Sequence, residues 1–279
     1  MQGVVILIIA SFFGCNADSI KSAVQAHFEF PENTAHEVIG CYPPDDCAND
    51  DYRPDKPTNC KEILDSGETV SKKYIIYPKG SNISVEVYCD MDTRGGGWTV
   101  IQRRFNGAVD FYRDWREYRI GFGTIPGERW IGLENIYHLT AHETNQLLVE
   151  LTDKDGVKAY ALYDAFAIGS EVDGYRLNTL QGYSGDAGDS LSHHVGQKFT
   201  TKDLDLDSFD FGNCAELYLG AWWYNDCFKY GSNLNGKFRN MQLLPTEEYP
   251  YRNWQGIIWS TFKRNGYFLS ETRMLVRPQ

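Results

Sequence analysis

The sequence is short of positive charge. Its 279 residues include 27 Lys and Arg against 38 Asp and Glu, which gives a formal net charge of -11. Binding to nucleic acid depends on clustered cations that replace the counterions of the phosphates. One basic cluster, Gln102-Arg103-Arg104, lies in an alternating strand pattern that predicts a solvated or ion-paired sheet face. We therefore expect no nucleic-acid partner.

Long hydrophobic runs are missing apart from one near the N-terminus. Residues 4–14 form an apolar run that is too short to span a bilayer comfortably, and small residues follow it up to Ala17. This pattern predicts a secretory signal peptide over residues 1–17, without the charged residues that usually precede such a run. An anchored segment is the alternative. We expect a secreted, extracellular protein with no membrane insertion.

Zinc-binding cysteine motifs are absent too, because the chain has no CxxC pair and no Cys/His spacing typical of a zinc site. An even number of cysteines in an exported chain is typical of disulfides, and six cysteines permit fifteen pairings. The sequon Asn82-Ile83-Ser84 lies between two strand-like runs and predicts a glycosylated surface turn at Asn82. The six cysteines that follow the signal peptide are Cys41, Cys47, Cys60, Cys89, Cys214 and Cys227.

Residues 18–56 are acidic and rich in proline and show no sustained periodicity, which predicts a linker or a lightly ordered arm. No Gly-X-Y tract and no long heptad run is present, so the usual signs of a trimerising stalk are missing. Two interpretations of Cys41 and Cys47 stay open: they close a small loop within the arm, or they link subunits into a disulfide-bonded homo-oligomer.

From Cys60 onwards the pattern changes to short β-branched and aromatic runs that turn residues separate, which is typical of strands. Residues 132–139 predict a short helix. After about residue 170 the periodicity fades, and a long irregular region in a compact domain usually carries function. We expect an α+β globule over residues 57–279 with a mixed, mainly antiparallel sheet. The predicted strands are KYIIYP (73–78), SVEVYCDM (84–91), WTVIQRR (98–104), QLLVELTD (146–153) and KAYALYDAFAIG (158–169).

The stretch DLDLDSFDFGNC (203–214) gathers four carboxylates in a chain that is already acidic. Their repulsion at short range is costly unless a cation intervenes, and Ca²⁺ prefers carboxylate and carbonyl oxygens. The stretch is not an EF-hand, because Ser208 replaces the glycine at position six and Cys214 replaces the glutamate at position twelve. A solvated acidic turn is the alternative. The four carboxylates are Asp203, Asp205, Asp207 and Asp210.

Catalytic motifs are incomplete. The letters of Gly188-Asp189-Ser190-Leu191 match the block that names the GDSL hydrolases, and His193 and His194 follow. A nucleophilic serine needs a base and an orienting carboxylate, which those hydrolases take from a DxxH motif near the C-terminus. No histidine follows His194 in this chain. His142-Glu143 likewise lacks the second histidine of a zinc protease. We expect no enzyme activity.

Several long motifs in a fixed order resemble the fibrinogen C-terminal domain, the globule shared by fibrinogen chains, ficolins, angiopoietins and tachylectin-type lectins. The resemblance covers roughly residues 57–279. The motifs are GGGWTVIQRRFNGAVDFYRDWREYRIGFG (95–123), GERWIGLENIYHLT (127–140), YSGDAGDSLSHHVGQKFTTKD (183–203), GNCAELYLGAWWYNDC (212–227), GSNLNG (231–236) and MLVRP (274–278).

The resemblance implies two disulfides, Cys60–Cys89 and Cys214–Cys227, and a calcium site just before Cys214. Carried over by position, carboxylates come from Asp205 and Asp207 and backbone carbonyls from Phe209 and from Phe211 or Gly212. The segment Phe209-Asp210-Phe211 is one residue longer than the family pattern, which affects the last carbonyl ligand. The resemblance also implies a cis peptide bond between Asp226 and Cys227.

In the lectin members of the family, a pocket beside this site accepts the acetyl group of an N-acetyl sugar. Tyr218 and Tyr267 match two of its aromatic positions, Tyr251 is a candidate for a third, and Asp226 and Cys227 lie in the loop that shapes it. Phe228 departs from the family because a histidine is common there. The long segment 237–259 also does not align cleanly with the Tyr-Ala pair that lines the pocket.

The sequence therefore predicts a secreted, calcium-stabilised lectin of innate immune recognition. Its expected partner is an acetylated carbohydrate or a glycoprotein surface. The alternative is a fibrinogen-like module of angiopoietin type that binds proteins, signals or acts in haemostasis.

Overall fold

The structure, a computed structural model, describes residues 56–228, 230–239, 254–263 and 267–279. The predicted signal peptide, the acidic arm up to residue 55 and Tyr251 lie outside the described residues. Contacts group Pro54–Gln279 as one compact unit. No helix in the described ranges is long and apolar enough to cross a bilayer.

Short strands dominate the described chain. The helices are α1 (Cys60–Asp65), α2 (Trp115–Ile120), α3 (Leu133–Thr140) and α4 (Cys214–Tyr218). The strands are β1 (Lys72–Ile76), β2 (Val85–Asp90), β3 (Trp98–Arg104), β4 (Phe122–Gly123), β5 (Arg129–Trp130), β6 (Asn145–Thr152), β7 (Lys158–Ile168), β8 (Leu177–Gln181), β9 (Ser184–Gly185), β10 (Ser232–Asn233), β11 (Ile258–Trp259) and β12 (Glu271–Pro278).

The main sheet has the strand order β1-β2-β3-β12-β6-β7-β8, and each strand pairing of the described residues is antiparallel. The C-terminal strand β12 lies in the middle of this sheet, where Met274 pairs with Gln102 of β3 and with Val149 of β6. Closing the sheet therefore requires the last residues of the chain. The α+β fold class with a mainly antiparallel sheet and short helices is confirmed.

The five predicted strands are present as β1, β2, β3, β6 and β7, and the predicted short helix is α3. Seven further strands, β4, β5 and β8 to β12, and the helices α1, α2 and α4 were not predicted. Helix α2 begins at a capping box: the Asp114 carboxylate accepts the Glu117 N–H, and the Glu117 carboxylate accepts the Asp114 N–H. This local pattern was present in the sequence and passed unnoticed.

The two faces of the main sheet differ. The inner face carries residues such as Ile101, Val149 and Met274, which are buried against helices and the irregular C-terminal region. On the other face, which we call the outer face, Trp98, Leu148 and Leu275 form a separate small cluster. The Arg277 guanidinium covers the Trp98 ring at 4.1 Å. Among the described residues, this cluster is therefore covered in part by a polar side chain.

A buried ion pair joins the sheet to the C-terminal region. The Glu128 carboxylate accepts N–H groups from the turn at 105–109, and it lies 3.8 Å from the Arg104 guanidinium. Arg104 donates in turn to the carbonyls of Leu234 and Gly236, at 3.2 and 2.9 Å. These bonds fix the irregular region against β3.

Candidate metal and ligand-binding site

The four carboxylates of residues 203–210 do not form one cluster. The Asp203 carboxylate accepts the backbone N–H of Trp115, at 2.9 Å, and the Thr201 hydroxyl, at 2.7 Å. It therefore holds the start of α2. Asp210 is exposed. The two carboxylates that lie next to each other are those of Asp205 and Asp207. The Asp207 N–H donates to an Asp205 carboxylate oxygen 3.4 Å away.

Asp207 is held in place on both sides. One carboxylate oxygen accepts the Phe209 N–H at 3.0 Å, and the other accepts the Cys214 N–H at 3.0 Å. Burial, together with the nearby Asp205 carboxylate, raises the pKa of Asp207 to about 6 despite these two bonds. Ionisation of the Asp207 carboxyl is therefore less favourable than that of an ordinary aspartate, and a bound cation would favour the ionised form.

The residues around this pair fit a calcium ion. Two carboxylates lie side by side, and no hydrogen bond in the described part of the chain uses the carbonyls of Phe209, Phe211 or Gly212. Free carbonyls and carboxylates are the ligands that Ca²⁺ prefers. No group of three or more His, Cys, Asp or Glu suited to a metal occurs among the described residues, so backbone oxygens must complete such a site.

A disulfide connects this loop to the predicted ligand-binding segment. Cys214 is bonded to Cys227, with Cα atoms 5.3 Å apart, and the second disulfide joins Cys60 to Cys89 at 5.4 Å. The structure thus contains both disulfides that the family resemblance implies. Asn213 begins α4: its side chain accepts the Ala215 N–H at 2.7 Å and donates to the Thr201 carbonyl at 2.9 Å.

The expected cis peptide bond between Asp226 and Cys227 is not found. The cis bond of the described residues is Ile125–Pro126, and Asp226–Cys227 is trans. Instead, Cys227 has a φ of 48°, a left-handed conformation that is uncommon for a residue with a Cβ. The Asn225 N–H donates to the Cys227 carbonyl at 3.0 Å. The backbone therefore changes direction here through the left-handed conformation of Cys227.

Three of the predicted ligand-binding residues come together. The Tyr218 and Phe228 rings meet edge to face with centroids 4.6 Å apart. Phe228 is buried, whereas Asp226 is exposed. The pKa of the Tyr218 hydroxyl is raised mainly by the burial of Tyr218 and also by the nearby charge of Asp226. A half-buried aromatic ring and an exposed carboxylate thus lie on one surface beside the Cys214–Cys227 disulfide.

Two aromatic neighbours of this surface were missed by the sequence analysis. Trp254 lies 6.0 Å from Phe228 between ring centroids, and Tyr224 lies 6.3 Å from it. Trp254 belongs to the long segment 237–259, and an aromatic residue in an extended segment beside a predicted pocket was the available signal. Tyr224 had no such signal, because its burial depends on the folded core.

Tyr267 does not join this group. Its hydroxyl accepts the Lys154 N–H at 3.3 Å, and the Lys263 ammonium lies 5.4 Å from its ring centroid. These contacts are at the turn between β6 and β7. Within the described residues no ring contact or hydrogen bond connects Tyr267 to Tyr218 or Phe228. Its assignment to the pocket is therefore unsupported by this geometry, and that of Tyr251 lies outside the described residues.

The residues of the hydrolase-like block have structural contacts. Ser190 is fully buried, and its hydroxyl lies 2.8 Å from the Thr261 hydroxyl and accepts the Thr261 N–H at 2.9 Å. Asp189 accepts N–H groups at the start of the next turn. His194 contacts the Trp223 carbonyl through Nδ1 and accepts the Ser232 N–H at Nε2. Ser190 therefore has no hydrogen bond to a histidine in the described part of the chain.

An antiparallel sheet that its own C-terminal strand completes, two disulfides and an acidic loop before the second disulfide define a fibrinogen-type recognition globule. The chain matches the model of "Fibrinogen beta and gamma chains, C-terminal globular domain" over residues 56–279 and belongs to that family. Members of this family are binding modules.

Several known proteins resemble the chain. Fibrinogen C domain-containing protein 1-B of Xenopus laevis is 44% identical over 241 residues, which cover 85% of this chain and 50% of that protein. The chain thus spans about half the length of that relative. Human microfibril-associated glycoprotein 4 is 43% identical over 227 residues, which cover 80% of this chain and 85% of that protein.

Solved structures of fibrinogen-like proteins are also similar to this chain. The fibrinogen-like globe domain of human ANGPTL2 superposes with a TM-score of 0.74 at 41% identity, covering 80% of this chain and 99% of that one. Lamprey fibrin D-dimer, which was solved with the peptide Gly-His-Arg-Pro-amide, gives a TM-score of 0.71 at 31% identity, covering 94% of this chain and 81% of that one.

Proposed function

We propose that this protein is a secreted recognition protein of innate immunity whose calcium-stabilised C-terminal region binds acetylated sugars or similar ligands. One observation carries the proposal. The exposed Asp205 lies beside the half-buried Asp207, and Asp207 is linked, through the Cys214 N–H and the Cys214–Cys227 disulfide, to the surface around Tyr218, Asp226 and Phe228.

The proposed calcium site consists of the Asp205 and Asp207 carboxylates with carbonyls from Phe209 and from Phe211 or Gly212. When bound, calcium supplies the positive charge that offsets repulsion between the two carboxylates. Asp207 then stays ionised and keeps its bond to the Cys214 N–H. Because Cys214 is covalently joined to Cys227, this bond stabilises the segment 226–228 before a ligand arrives, and preorganisation of this kind lowers the cost of binding.

The binding surface suits an acetamido group. The half-buried Tyr218 ring, which packs against the buried Phe228, offers apolar contact for a methyl group, and the exposed Asp226 carboxylate can accept an amide N–H or a sugar hydroxyl. Phe228 has no titratable group where the family commonly has histidine. We therefore expect binding without a proton-dependent step at this position.

Export and glycosylation complete the proposal. Asn82 is exposed in the turn between β1 and β2, where an attached glycan would not displace protein atoms. The names of several relatives describe glycoproteins, among them human microfibril-associated glycoprotein 4. Secretion follows from the predicted signal peptide and the two disulfides.

The second candidate is a module that binds proteins or peptides, as in the angiopoietin-type and haemostatic relatives. The exposed Asp226 beside an aromatic ring favours it, because a carboxylate can also receive a cationic peptide terminus. The lamprey relative was solved with a basic peptide.

Affinity chromatography separates the two candidates. We expect the protein to be retained on an N-acetylglucosamine resin in calcium and to be released by free N-acetylglucosamine or by chelator. Asp226→Asn should reduce retention, whereas Asp164→Asn, which changes an exposed carboxylate on β7, should not. The second candidate would be supported by two results together. The protein would fail to bind the resin, and it would bind the peptide Gly-His-Arg-Pro-amide in a way that Asp226→Asn abolishes.

A further inference from the structure

Four cations on or beside the outer face of the sheet have no carboxylate within ion-pair distance among the described residues. They are Arg94, Arg103, Arg129 and Lys158. This is unexpected in a chain with a net charge of -11. The sequence predicted a solvated or ion-paired sheet face for Arg103 and Arg104, and Arg104 does pair with the buried Glu128. Arg103 instead lies over the Phe105 ring at 4.7 Å.

Most of the nearby carboxylates already have partners. Arg273 contacts both Glu150 and Asp90, the latter at 2.7 Å. Glu86 contacts Lys73 at 2.8 Å. One oxygen of Asp186 accepts the Tyr160 N–H at 2.8 Å. Glu271 also lines this region and has no ion-pair partner among the described residues. The cations Arg94, Arg103, Arg129, Lys158 and Arg273 therefore outnumber the carboxylates Asp90, Glu150, Asp186 and Glu271 by one.

These cations surround an open cleft, which we call the cationic cleft, with a volume of about 500 Å³. Arg103 and Arg273 also line a smaller adjoining cavity of about 90 Å³, which extends the cleft to Arg129. The cationic cleft is lined by residues of the four strands β3, β6, β7 and β12 and includes Arg94, Arg103, Lys158, Tyr160, Glu271 and Arg273. It shares no residue with the calcium loop or with the surface around Tyr218.

Two of the guanidinium groups are held in place before any ligand binds. Arg94 stacks on the Tyr160 ring at 3.7 Å. Arg103 stacks on Phe105 and donates to the Pro126 carbonyl. Each retains further N–H groups for a ligand, because guanidinium carries five donors. A fixed guanidinium suits an oxyanion with two acceptor oxygens and loses little side-chain entropy on binding.

We propose that the cationic cleft binds a sulfated polysaccharide. Sulfate groups match the guanidinium forks, and the strip from Arg129 to Lys158 suits a linear polyanion. The exposed Glu271 and Asp186 at the rim favour a sugar over an acidic peptide. Sugar hydroxyls can donate hydrogen bonds to these carboxylates, whereas the side chains of an acidic peptide would repel them.

The test measures binding of the full chain to heparin over a series of salt concentrations. Arg103→Gln combined with Lys158→Gln removes two unpaired cations. The matched control, Lys61→Gln combined with Lys79→Gln, removes two lysines that lie outside the cleft and already pair with Asp65 and Glu143. Melting temperatures confirm that both variants fold.

We expect the cleft variant to lose at least about tenfold in affinity, and its plot of log affinity against log salt to flatten by about two. The control variant should bind like the parent. Binding should persist in chelator and in Asp226→Asn, which distinguishes this cleft from the acetyl-binding surface. Desulfated heparin should bind much more weakly.

Three results would overturn the proposal: no binding of the parent chain to heparin, equal affinities of the cleft variant and the control, or loss of heparin binding in chelator. Equal binding of poly-glutamate with the same sensitivity to the two cleft substitutions would mean that the cleft accepts acidic peptides instead.

Discussion

Among single residues, His194 shows how a buried polar side chain constrains the protein as a whole. It is fully buried, and both ring nitrogens make hydrogen bonds, to the Trp223 carbonyl and to the Ser232 N–H. Burial lowers the pKa of His194 to about 3. Because Nε2 accepts a backbone N–H, the bonded ring is neutral. The sequence suggested a catalytic role only through the neighbouring serine, and the structure assigns the ring to packing.

His194 predicts acid sensitivity. The unfolded chain takes up the proton near pH 6.5 and the folded chain does not, so stability falls as the pH drops below 6.5. We expect this residue to cost about 2 kcal/mol of unfolding free energy between pH 7.5 and pH 5. Urea unfolding at both pH values measures it. His194→Gln should be less stable at pH 7.5 but lose less on acidification.

The control for this prediction is His142→Gln, because His142 is exposed. This variant should keep the pH dependence of the parent chain. An unchanged pH dependence in His194→Gln would contradict the assignment of a buried neutral ring.

At the scale of secondary structure elements, the turn after β3 depends on Glu128. Its carboxylate accepts four backbone N–H groups of residues 105–109 and faces the buried Arg104. Glu128→Gln leaves the guanidinium without a counter-charge, and we expect a loss of about 3–5 kcal/mol in unfolding free energy. Glu171→Gln removes the partner of Arg119 in an exposed pair and should cost about 0–1 kcal/mol. Chemical unfolding compares the two, and equal losses would contradict the prediction.

The central strand β12 makes a second prediction at this scale. Met274 is fully buried between β3 and β6, so Met274→Ala should lower the free energy of unfolding by about 2–5 kcal/mol. Glu271→Ala, at the exposed start of the same strand, should change it by about 0.5 kcal/mol or less. Similar losses for the two variants would mean that β12 is not central.

The strands that the sequence predicted share one property: each alternates or is rich in β-branched residues over at least five positions. The local sequence was therefore sufficient to predict β1, β2, β3, β6 and β7. Strand β12 did not, because its position depends on Gln102 and Val149, which lie far away in the sequence. The hydrophobic period and the β propensity of a segment indicate a strand, but they do not determine which other strands pair with it. The short helices α1 and α4 begin at asparagine caps that are recognisable only once the surrounding loops are known.

For the whole molecule, the resemblance of the motifs indicated the fold and the disulfide partners, whereas residue types alone did not. The carboxylates illustrate the difference. Spacing grouped four of them, but Asp203 contacts the N-terminus of α2 and only Asp205 and Asp207 lie together. Similarly, Tyr267 was assigned by position and contacts a different turn. Tertiary contacts of this kind are not encoded in local spacing.

The arm makes a prediction for the assembled protein. If Cys41 or Cys47 links subunits, non-reducing electrophoresis of the parent chain shows a multiple of the monomer mass. Replacing both cysteines by serine should leave a monomer-sized band. Migration of the parent chain as a monomer without reductant would instead support a loop within the arm.

The central claim is that a calcium ion between Asp205 and Asp207 stabilises the recognition surface, and a melting experiment tests it most directly. At a calcium concentration one hundred times the dissociation constant, the parent chain should gain about 2.7 kcal/mol, seen as a rise in melting temperature that chelator reverses. Asp207→Asn should show no such rise, whereas Asp210→Asn, at the exposed neighbouring carboxylate, should behave like the parent chain. A parent chain whose melting temperature ignores calcium, or a rise that survives in Asp207→Asn, would contradict the claim.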